Sequence, residues 1–60
     1  MQNKLLDTKE LSEYLGIAVS TILEYRMQGR GPVYIKLGHL VRYKVADVDA
    51  WLESQKPKNE

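Results

Sequence analysis

Cysteine and phenylalanine are absent from these 60 residues, histidine and tryptophan occur once each, and proline occurs twice. Without thiols there is neither a disulfide nor a thiolate metal site to support the fold, and cysteine nucleophiles and histidine-rich metal sites are excluded with them. The lack of cysteine points to a reducing cytoplasm. Long apolar runs are missing too: the longest are two or three residues, such as Leu5-Leu6. Neither a signal-peptide core nor a membrane span can be built from them, and no membrane partner is expected. A chain this short forms one domain and buries about 60% of the surface it exposes when unfolded, which leaves a small core. No repeat, low-complexity segment or linker divides it.

Reactive groups are as scarce as thiols. His39 stands without a partner in the sequence, and the glycines at 29, 31 and 38 punctuate turns where a phosphate loop would need a cluster. Asp47 and Asp49 fall where a helix is expected to begin, and dipole complementation accounts for them. So small a core offers no obvious place for a pocket. Catalysis, a cofactor, a metal and a small-molecule ligand are therefore not expected.

The net charge of +1 conceals a division along the chain. Residues 24–44 hold five cations, Arg26, Arg30, Lys36, Arg42 and Lys44, against the single acid Glu24, a local excess of +4. Outside that window four lysines meet seven acids, an excess of −3. A basic middle between acidic ends fits a one-sided surface for a polyanion, against the alternative of chance clustering on a mixed, solvated surface.

Local signals set out the elements. Residues 1–4 are polar and expected to be disordered, and Leu5-Leu6 is a short strand or an anchor. Asp7-Thr8-Lys9-Glu10 has the spacing of a capping box, and Leu6 and Leu11 are placed as a hydrophobic staple around it. The pattern predicts a helix over Thr8–Leu15 with Leu11, Tyr14 and Leu15 inward. Gly16 then suits the left-handed position that ends a helix, because it has no Cβ to clash. A second helix is predicted over Val19–Gln28, with Ile17 and Ile22 as its staple and Ala18 a poor cap. Val19, Ile22, Leu23 and the stem of Arg26 form one stripe of it, and Ser20, Glu24 and Gln28 another. Gly29 stops this helix and Gly31-Pro32 keeps it from restarting.

Between residues 32 and 43 the period changes to two. The runs VYIKL and LVRY flank Gly38-His39, which reads as the tight connection of a hairpin. Alternation puts Val33, Ile35 and Leu37 opposite Tyr34 and Lys36, and Val41 and Tyr43 opposite Leu40 and Arg42. A lone hairpin is marginal in water, so this one must lie against the helices. A last helix is predicted over Val45–Ser54, with Val48, Trp51 and Leu52 at i, i+3 and i+4 and Trp51 as the keystone of the core. The polar residues 55–60, with Pro57, are expected to form a disordered tail.

Helix, turn, helix, hairpin, helix is the order of a winged helix-turn-helix, a small α+β domain here spanning residues 5–54. In such a module the second helix enters the major groove of DNA with its N-terminal residues at base edges. Ser20 and Thr21 lie in that first turn, where hydroxyls can bond phosphates or bases. Glu24 either accepts from a cytosine amine or is a solvated or paired charge. Arg26 either reaches phosphate or lays its stem on the core and pairs with an acid. Lys36, His39, Arg42 and Lys44 can track the backbone or enter the adjacent minor groove, against the alternative of a solvated strand face. Tyr25, Tyr34 and Tyr43 read as core-edge aromatics, not as stacking platforms.

The segments LLDTKELSEYLGI, STILEYRMQGRGP, VYIKLGHLVRY and DVDAWLE, in that order and spacing, resemble the excisionase/MerR-type winged helix-turn-helix small proteins of phages, plasmids and integrated elements. The resemblance covers residues 5–53. It implies sequence-specific binding of double-stranded DNA, either directing excision of a mobile element or regulating transcription. Carried onto this chain, the recognition helix starts at Ser20-Thr21, its polar positions are Glu24 and Arg26, and the wing is 36–42. Ala18 stands where the family usually has a capping Ser, and His39-Leu40 where the wing tip is often Arg-Arg, which weakens the expected minor-groove contact. Full-length MerR regulators continue into a dimerising helix and an effector domain; a chain stopping at Glu60 is not expected to carry a sensor. An integrase or recombinase, or cooperative copies on DNA, would supply affinity that one small monomer lacks. The implied location is the bacterial cytoplasm, on the nucleoid when bound. A function of another class, a protein-interaction adaptor such as an anti-repressor, fits the same fold. An adaptor would tolerate neutralisation of residues 26–44, whereas a DNA binder would lose affinity at every sequence.

Overall fold

In the computed structural model, which describes residues 4–55, the first helix, α1 (Thr8–Leu15), starts where its capping box sets it. The Asp7 carboxylate accepts from the Glu10 amide at 2.7 Å, and the Glu10 carboxylate accepts from the Asp7 amide at 2.9 Å. Leu6 and Leu11 are both buried behind this cap, as a staple requires. Gly16 ends the helix in the left-handed region at φ 72. The turn that follows is pinned twice to Ser12: its carbonyl accepts from the Gly16 and Ile17 amides, and its hydroxyl donates to the Ile17 carbonyl at 2.6 Å. The second helix, α2 (Val19–Gln28), begins without a side-chain cap at Ala18. The Ile17–Ile22 staple holds its start instead, with Ile22 buried and Ile17 packed on the core. It closes at Gly29 in a Schellman motif, the Arg30 amide donating to the Tyr25 carbonyl and the Gly29 amide to that of Arg26.

Three short strands, β1 (Leu5–Leu6), β2 (Ile35–Leu37) and β3 (Leu40–Lys44), form an antiparallel sheet in the order β1-β3-β2. Leu37 pairs with Leu40 across the two-residue turn Gly38-His39. Gly38 has φ 67 and His39 a negative φ, the pattern of a type II′ turn whose twist matches that of the flanking strands. Pairing in β2 starts at Ile35, two residues later than the apolar run predicts. Pro32 is buried at the head of that run and has no amide to donate, and Val33 is left exposed. The third helix, α3 (Val45–Ser54), follows β3 directly.

Leu6, Leu11, Ile22, Tyr43, Val45 and Val48 make the core, with Leu15, Ile17 and Val41 packed against it. Its keystone is Tyr43, 1% exposed, and not Trp51. β3 is the central strand, so Tyr43 stands opposite Leu6 with elements on both sides. Trp51 lies six residues beyond the start of α3, about 9 Å along the axis, and comes out at the margin. There its indole N–H donates to the Arg30 carbonyl at 2.9 Å. Tyr14, expected inward, is 49% exposed, and its hydroxyl donates to Asp49 Oδ1 at 2.6 Å, tying α1 to α3. Val19 and Leu23, expected in the buried stripe of α2, are both exposed; Ile22 alone is buried there. Leu52, expected inward on α3, is exposed as well. The outermost described residues also bond: the Lys4 carbonyl accepts from the Val45 amide, and the Gln55 amide donates to the Leu52 carbonyl. The remainder of the expected disordered ends, residues 1–3 and 56–60, lies outside the described residues.

Candidate nucleic-acid interface

The Ser12-pinned turn sets α2 against α1 through Ile22, which leaves the opposite face of α2 uncovered. Ser20, Leu23, Glu24 and Met27, at i, i+3, i+4 and i+7, line one shallow depression on that face. Glu24 is exposed and bonds to no described residue, so the sequence's alternative of an ion pair with a nearby Arg is not the arrangement here. Thr21, one residue round the helix from Ser20, is half-buried.

Arg26 follows the second course in part. Its stem turns inward, yet its partners are neutral. Nη1 donates to the Tyr43 hydroxyl at 3.2 Å and reaches the Thr8 hydroxyl at 3.5 Å, while the guanidinium lies 5.8 Å from the centre of the Tyr34 ring. Tyr34 in turn meets Tyr43 edge-on at 6.1 Å. Arg26 thus braces α2 against the central strand. It forms part of the wall of a half-open cleft of about 340 Å³ between α2 and residues 29–34, with Tyr25, Pro32 and Tyr34 among the other linings. The small core does leave a concavity, contrary to the sequence expectation.

The hairpin cations do not form one cluster. Residues paired across a ladder share a face, so Lys36, opposite Val41, lies on the side of Val41 and Tyr43. Arg42 lies opposite Ile35 and Lys44 opposite Leu5, on the other side, together with Leu37 and Leu40. His39 is exposed at the tip. Arg42 is half-buried, its Nη1 donating to the Val41 carbonyl at 2.8 Å, whereas Lys36 and Lys44 are exposed. Lys44 also occupies the cap position of α3.

Arg30 belongs with these candidates, although the motif reading passed over it. It is exposed just past the end of α2, its Nη1 on Gln28 Oε1 at 3.0 Å and its guanidinium 5.2 Å from the Tyr25 ring centre. Its place directly after the helix-ending Gly29 was the available signal. The exposure of Leu23 was not legible in the sequence, because apolar periodicity marks a stripe but not which side of it is covered.

Among the described residues no group of acids and histidine could hold a metal ion, and no helix is long and apolar enough to cross a membrane. A family model for a helix-turn-helix domain matches residues 5–56. No curated protein matches the chain.

Proposed function

The chain belongs to the helix-turn-helix domain family and is a DNA-binding helix-turn-helix domain, and on that premise we propose that it reads double-stranded DNA sequence-specifically as an excisionase-type factor. It acts either to direct recombination of a mobile element or to regulate that element's transcription, in the bacterial cytoplasm and on the nucleoid when bound. Residues 5–54 are the binding module. The observation that carries this reading is the uncovered face of α2, which runs from Ser20 to Met27 and is backed by buried Ile22. In the proposed complex α2 lies in the major groove, with Ser20 and Thr21 at its leading end and Glu24 at base edges. Lys36, His39, Arg42 and Lys44 meet the backbone and the adjacent minor groove. Arg26 contributes by fixing the angle between helix and wing. A handful of phosphate contacts gives one monomer a weak, salt-sensitive hold, so neighbouring copies or an integrase supply the remaining affinity.

Fluorescence anisotropy with duplexes from around the protein's own gene, at two salt concentrations, tests this. A scrambled duplex and the double variant Lys36→Ala, Arg42→Ala serve as controls. The expected result is salt-sensitive binding to one native segment, with the slope of log K against log salt shallower by about 2 in the double variant. Equal affinity for native and scrambled duplexes, with the variant indistinguishable from the parent, overturns the proposal and favours a protein-interaction adaptor. A reconstituted excision reaction with the neighbouring integrase then separates excision from transcriptional control.

A further inference from the structure

Bases are read most often by Arg or Lys on guanine and by Asn or Gln on adenine. The depression on the outer face of α2 is lined by none of these. The helix's one arginine, Arg26, is turned inward onto Tyr43, and its one amide, Gln28, lies outside the depression at the helix end, its Oε1 accepting from Arg30. Beyond Ser20, what stands exposed there is Leu23 at 40%, Met27 at 88%, and Glu24 between them.

That combination has a definite chemical complement. In the major groove the one apolar group displayed by any base pair is the C5-methyl of thymine. A carboxylate there is repelled by the acceptors of guanine and accepts from an exocyclic amine, on adenine or cytosine. We propose that Leu23 and Met27 are specificity-determining residues, each covering a thymine methyl, while Glu24 accepts from an amine lying between them. This rests on the DNA-binding reading above and names the kind of site it takes. Four residues of helix advance about 6 Å, close to two base-pair steps of about 3.4 Å. The site therefore holds two thymines about two steps apart, on either strand, with an adenine or cytosine amine in the intervening step.

The test starts from a duplex selected by the protein out of a random pool. Each dT is then replaced singly by dU, which keeps every hydrogen-bonding group and lacks only the methyl. Binding should weaken about fourfold at two positions, the effect of leaving one methyl group unburied, and stay unchanged at the others. In Leu23→Ser one of those two positions should lose its sensitivity, and in Met27→Gln the other. Met27 is so exposed that its replacement leaves folding intact, and thermal melting of both variants checks this. If no dU weakens binding while the selected duplex is still preferred over a scrambled one, the inference falls and the DNA reading stands. If both variants keep the parent's dU pattern, other residues read the methyls and the inference falls. If both variants bind the selected duplex as the parent does and no dU matters, the apolar face does not enter the groove and the inference falls. If selection yields no preferred sequence, the DNA reading itself has failed.

Discussion

Arg26 joins α2 to the central strand through Tyr43, and a double-mutant cycle between the two residues tests the account. Tyr43→Phe removes the hydroxyl that accepts from Arg26 Nη1 and keeps the buried ring with its edge contact to Tyr34. Hydrogen bonds to charged groups contribute about 1.5–3 kcal/mol. This one is long at 3.2 Å and only partly buried, and a freed guanidinium can be rehydrated through the cleft, so the expected loss is about 1 kcal/mol. For a domain of this size that lowers the melting temperature by about 4–8 °C. Arg26→Met keeps most of the stem but loses Tyr43, the contact to Thr8 and the charge over the Tyr34 ring, which adds about 0.5–1 kcal/mol. The coupling energy from the two single variants and the double, read by urea unfolding with Trp51 fluorescence, should be about 1 kcal/mol. A cycle that closes to within about 0.3 kcal/mol refutes the brace. The same variants separate bracing from phosphate contact. A brace weakens DNA binding without changing its salt dependence, whereas a phosphate ligand would lower the slope by about 1.

Leu11→Ala opens a cavity at a fully buried site and should cost about 2–5 kcal/mol, a large share of the stability of about 3–9 kcal/mol expected for 60 residues; a loss below about 1 kcal/mol in urea unfolding would contradict the assigned core. Asp7→Ala should lower stability by about 1 kcal/mol in thermal melts while Asp7→Asn retains most of it, and equal losses would mean that the cap hydrogen bond at 2.7 Å is not the source. The hydrogen bond to Asp49, helped by that carboxylate's charge, holds the Tyr14 phenol above its usual 10.0. Its contribution to stability is present below about pH 10 and lost as pH rises through the raised value, so the parent should lose more stability than Tyr14→Phe across that alkaline range, and parallel curves would dismiss the link.

Thr8–Leu15, Val19–Gln28 and Val45–Ser54 are the helices that the residue pattern alone predicts, and the reason is that their signals are local. A capping box, two staples and the glycines that follow α1 and α2 act within one turn of chain, so no knowledge of the rest is needed. The misjudged positions are those that depend on distant partners. Nothing near Tyr43 in sequence reveals that β1 will pair with β3 and enclose it, and nothing near Trp51 reveals that the Arg30 carbonyl will hold it at the edge. The apolar period of α2 does mark Val19, Ile22 and Leu23, yet only the placement of α1 decides that Ile22 is the covered one.

The same distinction governs the wing. In sequence Lys36, His39, Arg42 and Lys44 form one basic stretch, but the ladder register puts Lys36 on one face and Arg42 and Lys44 on the other. A hairpin lying flat on a duplex would bring a single face to phosphate and leave the remaining cations in solvent. A hairpin entering the minor groove edge-on has a phosphate wall beside each face, across a groove about 6 Å wide. Under the proposed DNA reading, the split therefore favours insertion over flat docking. The type II′ turn at Gly38-His39 keeps the tip to two residues, the narrowest closure a hairpin can have. Insertion also explains why both Lys36→Ala and Arg42→Ala, on opposite faces, should each lower the salt slope, where flat docking would let only one of them do so.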